Sequence, residues 1–261
     1  RGAVWVAVRV PDDCISAHAN QSRIHQFDMS DKNNCMYSPD VISFAREKGY
    51  FDGVNKDFSF AKAYAPLDFG ARRYCEARVW SYFNMFTARG NEFLPYILGD
   101  TDTPMPLFVK PDRKISVQDV KNAMRDHYEG TPLDISKDFG AGPYHTPYRL
   151  SPLSFKVGDK EYFNERPIST QQSGFVFVAQ MRSTLPDAIG GVLWFGTDDA
   201  NMTVFTPVYC CTDKVPVCYS RADGADYITF SWNSSFWIFN WVANMVSVSY
   251  THLTLPTKLE V

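Results

Sequence analysis

Runs of apolar residues, separated by turn-forming residues, organise the first part of the chain. Residues 3–10 form an apolar run of strand length, and Pro11 with the two aspartates after it favours a turn. Residues 14–20 are interpreted as the returning strand. The pattern therefore predicts an N-terminal β-hairpin.

Helical spacing of apolar residues follows this predicted hairpin. Ser38 is the predicted N-cap residue of a helix that has Pro39 in its first turn and ends at Gly49. Ser116 is the predicted N-cap of another helix, whose apolar stripe ends at Gly130. Further helices are predicted over residues 58–64, 72–86 and 236–246.

The second half of the chain contains apolar runs of strand length, at residues 175–180, 191–196 and 203–208. Residues 91–113 and 131–167 are rich in turn-forming residues and are predicted to be ordered loops. The order of elements lacks the β-α-β alternation of a doubly wound sheet. We therefore predict an α+β sandwich in which helices cover antiparallel sheets.

Composition excludes some classes of partner. The chain has 261 residues, 45% of them apolar, so it can bury a large core. Its 26 Lys and Arg against 29 Asp and Glu give a net charge of -3, which offers no basic field for nucleic acid or an anionic membrane. No apolar run reaches the ~18 residues of a membrane span. We expect neither nucleic acid nor membrane as a partner.

Cysteine spacing indicates thiols without a disulfide framework. Six cysteines are sparse for this length, and none forms a C-x-x-C pair, so buried free thiols are expected. Cys210 and Cys211 are adjacent and are expected on opposite faces of a strand. Cys14 and His18 share a face of the predicted strand, but about 13 Å of strand separates them, too far for a direct hydrogen bond.

Common catalytic strings are absent, and the histidines lack metal-ligand spacing. Asn20, Gln21 and Arg23 end the predicted second strand, either as ordinary strand-end polarity or as donors that face a substrate oxyanion. Arg78 lies beside core positions of its helix, either at a pocket edge or in water. Arg125 and Glu129 are spaced for a structural i,i+4 ion pair.

Seven dispersed segments together resemble one protein family. They are residues 5–14 (WVAVRVPDDC), 19–24 (ANQSRI), 36–40 (MYSPD), 110–115 (KPDRKI), 125–132 (RDHYEGTP), 166–170 (RPIST) and 189–194 (IGGVLW). In this order, over residues 3–246, they resemble the bacterial cysteine dipeptidases of the N-terminal-nucleophile hydrolase superfamily. Their number and order make the resemblance specific.

The resemblance implies a four-layer αββα sandwich and a cysteine nucleophile at the start of the mature chain. The α-amino group of that cysteine would serve as the base. Dipeptides would be cleaved through an acyl-enzyme, without a metal or cofactor. This chain starts at Arg1 and runs directly into a predicted strand. We therefore expect residues 1–246 to be an N-terminally truncated and inactive domain that lacks the nucleophile, and residues 247–261 to be a non-native tail.

The resemblance also assigns site residues. Asn20 matches an asparagine whose side chain donates to the oxyanion, and Arg78 matches an arginine near the nucleophile, which it would position. His18, Arg166 and Thr170 would line the substrate pocket. Cys14 is expected to be a core thiol, not the nucleophile.

Two alternatives to a dipeptidase stay open. An amidase of the bile salt hydrolase or penicillin V acylase type shares the mechanism and differs in its acyl pocket. A non-enzymatic binding module would explain the absent nucleophile and the long loops. A homo-oligomer is possible, and the sequence does not distinguish the bacterial cytoplasm from the periplasm.

Overall fold

The computed structural model describes residues 3–138, 140–148, 154–220 and 224–249. The chain divides into two compact units, Arg1–Ile115 (unit 1) and Ser116–Val261 (unit 2). Unit 1 contains β1 (Val6–Val8), β2 (Cys35–Tyr37), α1 (Val41–Glu47), α2 (Phe60–Tyr64), α3 (Phe69–Ala71), a π-helical segment (Arg72–Glu76), α4 (Ala77–Phe86) and α5 (Leu94–Leu98), with 3₁₀ turns at Asn55–Asp57 and Ala88–Phe93. Unit 2 contains α6 (Val117–Ala123), β3 (Ser154–Val157), β4 (Lys160–Phe163), β5 (Phe175–Met181), α7 (Asp187–Gly190), β6 (Gly191–Thr197), β7 (Thr206–Tyr209) and α8 (Ser235–Ser249), with 3₁₀ turns at Pro143–His145 and Val217–Tyr219.

The predicted N-terminal hairpin is wrong. β1 pairs antiparallel with β2, with Val6 opposite Tyr37. Trp5 and Ser38 extend this ladder through a 3.0 Å backbone hydrogen bond, so the strand that pairs with β1 comes from residues further along the chain than 14–20. Residues 14–20 form no strand beyond the single bridge of Ile15 to Val109. The strand argument for Cys14 and His18 therefore has no structural basis.

The helix predicted after Ser38 is confirmed, although it begins later. α1 has Asp40 at its N-cap, and the Ser38 hydroxyl instead accepts from the Trp5 N–H at 3.2 Å. Gly49, at φ 71°, follows the end of the helix in the left-handed conformation that glycine adopts without strain. The buried face of α1 packs against Phe58.

The helix predicted over residues 72–86 is confirmed and includes an irregular first part. The π-helical segment Arg72–Glu76 leads directly into α4, which buries Val79, Trp80 and Phe83. The loop predicted over residues 91–113 is wrong in part, because it contains α5. A proline in the first turn and a glycine after the last support that short helix.

Unit 2 is built on a three-stranded antiparallel sheet of order β5-β6-β7, which confirms the three predicted strands. Val176 and Val178 lie on the face of β5 that packs against α6. The other face of β5 is exposed: Phe175 is 60% exposed, Phe177 50% and Met181 79%. The loop predicted over residues 131–167 contains the β3-β4 hairpin.

The helix predicted from Ser116 to Gly130 ends early. Its capping box is confirmed, since the Ser116 hydroxyl accepts from the backbone N–H of Asp119 at 3.1 Å. The helix ends after Ala123, and Arg125 donates to the backbone oxygens of Ala200 and Thr203. The expected pairing of Arg125 with Glu129 is therefore not formed.

The predicted α+β class is confirmed, with small antiparallel sheets and separate helices. The terminal helix is confirmed as α8, which extends to residue 249. The remaining residues of the predicted non-native tail, 250–261, lie outside the described residues. Within the described part of the chain, no helix combines the length and apolar character needed to cross a bilayer.

The described cysteines are all free thiols, as expected, but their burial differs from the prediction. Cys35 is buried, whereas Cys210 and Cys211 are exposed. The last two lie in the turn after β7, not within a strand. The expectation that strand pleating places them on opposite faces is therefore wrong.

Candidate active site

Asn20 and Arg78, the two catalytic candidates, are in direct contact. The Nη2 group of Arg78 donates to the side-chain oxygen of Asn20 at 2.9 Å and to the backbone oxygen of Ala19 at 3.2 Å. Arg78 lies in the first turn of α4, where its Nε donates to the Tyr74 carbonyl at 2.8 Å. The arginine thus fixes the Asn20 carboxamide by its oxygen.

The opposite side of that carboxamide carries its amino group. With its oxygen held by Arg78, Asn20 presents its Nδ2 amino group, which has two N–H donors. No described residue accepts a hydrogen bond from this group, and Asn20 is exposed. An oriented amide donor with its hydrogens available can stabilise a developing oxyanion.

The backbone at Asn20 is held in an uncommon conformation. Its φ is 61°, in the left-handed region, which asparagine tolerates better than most residues. The structure corrects the predicted context of Asn20, which ends no strand and lies in a bend. The carboxamide of Asn20 is therefore oriented by its hydrogen bond with Arg78 and not by pairing within a sheet.

A buried ion pair lies next to this segment. Arg23 Nε donates to both carboxylate oxygens of Glu76, at 3.0 and 3.1 Å, and both side chains are about 95% buried. The sequence pattern predicts Arg23 as a polar residue at a strand end and does not indicate Glu76 as its partner. An available signal was the spacing of Glu76 from Val79 and Phe83, which places a charged residue on the apolar face of its helix.

A cavity of about 590 Å³ lies within unit 1, beside the residues that follow Asn20. Its wall includes Gln21, Arg23, His25, Lys62 and Glu76. Burial lowers the pKa of His25, and the nearby charge of Lys62 adds to this effect. A neutral His25 contacts the Ser59 hydroxyl at 3.0 Å. The cavity therefore offers both charged and neutral polar groups in a volume typical of small-molecule sites.

The three predicted pocket residues are placed as follows. His18 is exposed on the segment that leads to Asn20. Arg166 and Thr170 lie in unit 2, where the Arg166 carbonyl accepts from the Tyr128 hydroxyl at 2.7 Å. Thr170 is buried, and its hydroxyl contacts the side chain of Gln172. Substrate contact by these three residues stays a prediction.

Neither of two cysteines with shifted acidity is suited to be a nucleophile. Burial raises the pKa of Cys14, and its contact with Asp13 raises it further. Burial also raises the pKa of Cys35. A raised pKa reduces the thiolate fraction at neutral pH, and the thiolate is the nucleophilic form.

Unit 2 contains a buried polar network around Asp199. Its carboxylate accepts from the Tyr148 hydroxyl at 2.9 Å and from the hydroxyl of Ser169. His127, also buried, lies edge-to-face with Tyr148 and contacts Glu129 at 3.1 Å. No described group of three or more His, Cys, Asp or Glu side chains is arranged to hold a metal ion.

The chain is similar to known proteins over most of its length. The model of Peptidase family C69 matches residues 1–258. A "Probable dipeptidase" of Salmonella dublin is 33% identical over 208 residues, which are 80% of this chain and 42% of that protein. A "Probable dipeptidase" of Latilactobacillus sakei is 30% identical over 199 residues, 75% of this chain and 36% of that protein.

A "Dipeptidase A" of Lactobacillus helveticus is 24% identical over 251 residues, which are 95% of this chain and 46% of that protein. The chain thus spans less than half the length of these three relatives. The family model covers nearly all of the chain and agrees with the resemblance carried by the seven segments, so the chain belongs to Peptidase family C69.

Proposed function

We propose that the protein containing this chain hydrolyses dipeptides, and that Asn20 donates to the oxyanion of the tetrahedral intermediate. The observation that carries this proposal is the contact between Arg78 and the Asn20 oxygen, which leaves the Nδ2 hydrogens available. Two relatives are named "Probable dipeptidase" and a third "Dipeptidase A", and these names support the substrate class.

The proposed reaction is acyl transfer to a cysteine that is none of the six in this chain. The thiolate attacks the peptide carbonyl, whose carbon becomes tetrahedral while its oxygen gains negative charge. Asn20 Nδ2 donates to that oxygen. The carbonyl re-forms as the C–N bond breaks, and the leaving amino acid takes the proton that the α-amino group of the nucleophilic cysteine had accepted from the thiol. Water then hydrolyses the thioester. Arg78 keeps the amide oriented, and the substrate contacts of His18, Arg166 and Thr170 stay predictions from the resemblance.

The same proposal includes the four-layer αββα arrangement. In support of it, α6 covers one face of the sheet of unit 2, while the apolar residues of β5 on the other face are exposed. An exposed apolar sheet face is suited to pack against a second sheet.

Substitution of Asn20 tests the proposed function. In the complete protein, Asn20→Ala is expected to lower kcat by about 10²–10³-fold, because one oxyanion donor is lost. KM should change little. The measurement is steady-state hydrolysis of a panel of dipeptides, with conjugated bile acids and penicillin V included to detect an amidase.

Asn33→Ala is the matched control, since Asn33 is an exposed asparagine in a turn of the same unit. Full activity of Asn20→Ala would contradict the proposal. A preference for the bile acids or penicillin V would favour the amidase, and no hydrolysis at all by the complete protein would favour the binding module.

A further inference from the structure

The backbone on both sides of Asn20 is held by one buried arginine. Nη1 of Arg23 donates to the carbonyl of Ala17 at 3.4 Å. Because Ala17 precedes Asn20 by three residues and Arg23 follows it by three, this hydrogen bond closes the segment 17–23 into a loop with Asn20 at its middle.

The same arginine binds this loop to a neighbouring part of unit 1. Its Nη2 donates to the carbonyls of Met105 and Pro106, at 3.3 and 3.1 Å. Gln21 adds a 2.5 Å hydrogen bond to the carbonyl of Ala65, at the end of α2. The loop is therefore attached to two other segments through side chains of its own residues.

Glu76 makes this arrangement possible inside the protein. Burying the guanidinium of an arginine without a partner is strongly unfavourable. Glu76 neutralises the charge through two hydrogen bonds, and the ring of Phe83 lies 5.5 Å from the guanidinium carbon. The planar fork of arginine reaches several acceptors together, which an ammonium cannot do in the same geometry.

Glu76 and Arg78 belong to one continuous helix and act on different parts of the loop. Arg78 binds the side chain of Asn20, and Glu76 binds the arginine that holds the backbone. The left-handed backbone of Asn20 needs such support, because a strained conformation persists only where its surroundings fix it. The π-helical segment that ends at Glu76 is of a kind often found at functional sites.

We propose that Arg23 and Glu76 are positioning residues for Asn20, holding its backbone so that its amide meets the oxyanion. This inference rests on the proposed function, because the position matters for catalysis only if Asn20 is the oxyanion donor. Neither residue touches the reacting atoms.

The test replaces the pair with apolar residues of similar size, Arg23→Met with Glu76→Leu, in the complete protein. A buried ion pair replaced in this way often leaves a fold intact, whereas removal of one partner does not. We expect an unchanged thermal midpoint, a kcat reduced about 10- to 100-fold by misplacement of the donor, and an unchanged KM. Hydrogen–deuterium exchange should rise in peptides that cover residues 17–23.

A double-mutant cycle separates positioning from general damage. In an Asn20→Ala background, the paired substitution should lower kcat no further, since Arg23 and Glu76 act through Asn20. Glu92→Gln is the control: it removes an exposed carboxylate of the same unit that binds Arg89 and does not line the cavity. It should leave kcat and the exchange of residues 17–23 unchanged.

Each outcome decides the inference. An unchanged kcat in the folded double variant, or additive losses in the Asn20→Ala background, would overturn it. If the double variant does not fold, Arg23→Lys provides the second measurement: a lower kcat at constant KM supports positioning, and wild-type kinetics refute it. If Asn20→Ala itself retains full activity, the proposed oxyanion role fails first, and the inference falls with it.

Discussion

Two carboxylates in unit 2 have opposite pKa shifts. Burial raises the pKa of Asp198 to about 6, with the charge of Asp199 adding to the rise and a backbone hydrogen bond from Asp199 opposing it. Burial would also raise the pKa of Asp134, but hydrogen bonds from Ser136, Gly130 and Lys137 outweigh it and lower the value to about 2. Burial alone therefore does not decide the direction of a pKa shift, which depends also on how many hydrogen-bond donors surround the carboxylate.

Asp198→Asn is expected to stabilise the protein at pH 7 to 8. The folded state holds the Asp198 proton more tightly than the unfolded state, so this group stabilises folding below pH 4 and loses that contribution as pH rises through 6. Removing the buried charge should gain on the order of 2 kcal/mol at pH 8. Asparagine also suits the φ of 71°.

The measurement is urea unfolding at pH 8, 6 and 4.5. The gain should shrink toward the lowest pH, and a gain equal at all three values would contradict the titration of Asp198.

Asp134→Asn is the opposite case: a lowered pKa stabilises folding above pH 4, so this variant should be less stable at pH 7, with the deficit vanishing as pH falls toward 2.

At the scale of elements, a local capping motif marks where α6 begins, but its apolar pattern does not mark where it ends. The capping box at Ser116 forms as its spacing predicts. The apolar stripe that predicts α6 continues beyond Ala123, yet the helix ends there, and the Arg125 side chain donates to the backbone oxygens of Ala200 and Thr203. Such contacts are invisible in a helical pattern.

Ser116→Ala is expected to destabilise the protein by about 1 kcal/mol, because the N-cap acceptor for Asp119 is lost. The measurement is the free energy of unfolding in urea. Ser43→Ala is the matched control, since Ser43 is an exposed helical serine that caps nothing and alanine favours the helix. Equal losses in both variants would show that the cap contributes nothing specific.

For the molecule as a whole, the exposed side of β5 is the most conspicuous surface feature. β5 is an edge strand within the described sheet and has no charged side chain. Edge strands of this kind pair readily with other chains. In the isolated chain, β5 is therefore a candidate surface for self-association.

The isolated chain is expected to self-associate through β5, and Phe177→Lys should reduce that association. A charge on the exposed apolar face opposes pairing of a second copy. The measurement is sedimentation velocity over a range of protein concentrations. Val157→Lys, at an exposed apolar position on β3, is the control; association of Phe177→Lys equal to wild type would exclude this surface.

The sequence by itself determined the protein family, the α+β class and most secondary elements of unit 2. These follow from apolar periodicity, from caps such as Ser116 and from ordered motifs, all of which are local signals. The three strands predicted over residues 175–208 are found, since an antiparallel meander joins neighbours in sequence.

Tertiary structure decided which distant segments meet. The partner of β1 is β2 instead of residues 14–20, because pairing depends on where backbone groups find acceptors, which local pattern does not record. The resemblance named Asn20 and Arg78 separately, but only the folded chain places a guanidinium 2.9 Å from the amide oxygen. The local sequence pattern does not predict the Arg23–Glu76 pair for the same reason. A buried charge is stable only beside its partner, and Arg23 lies 53 residues away from Glu76 along the chain.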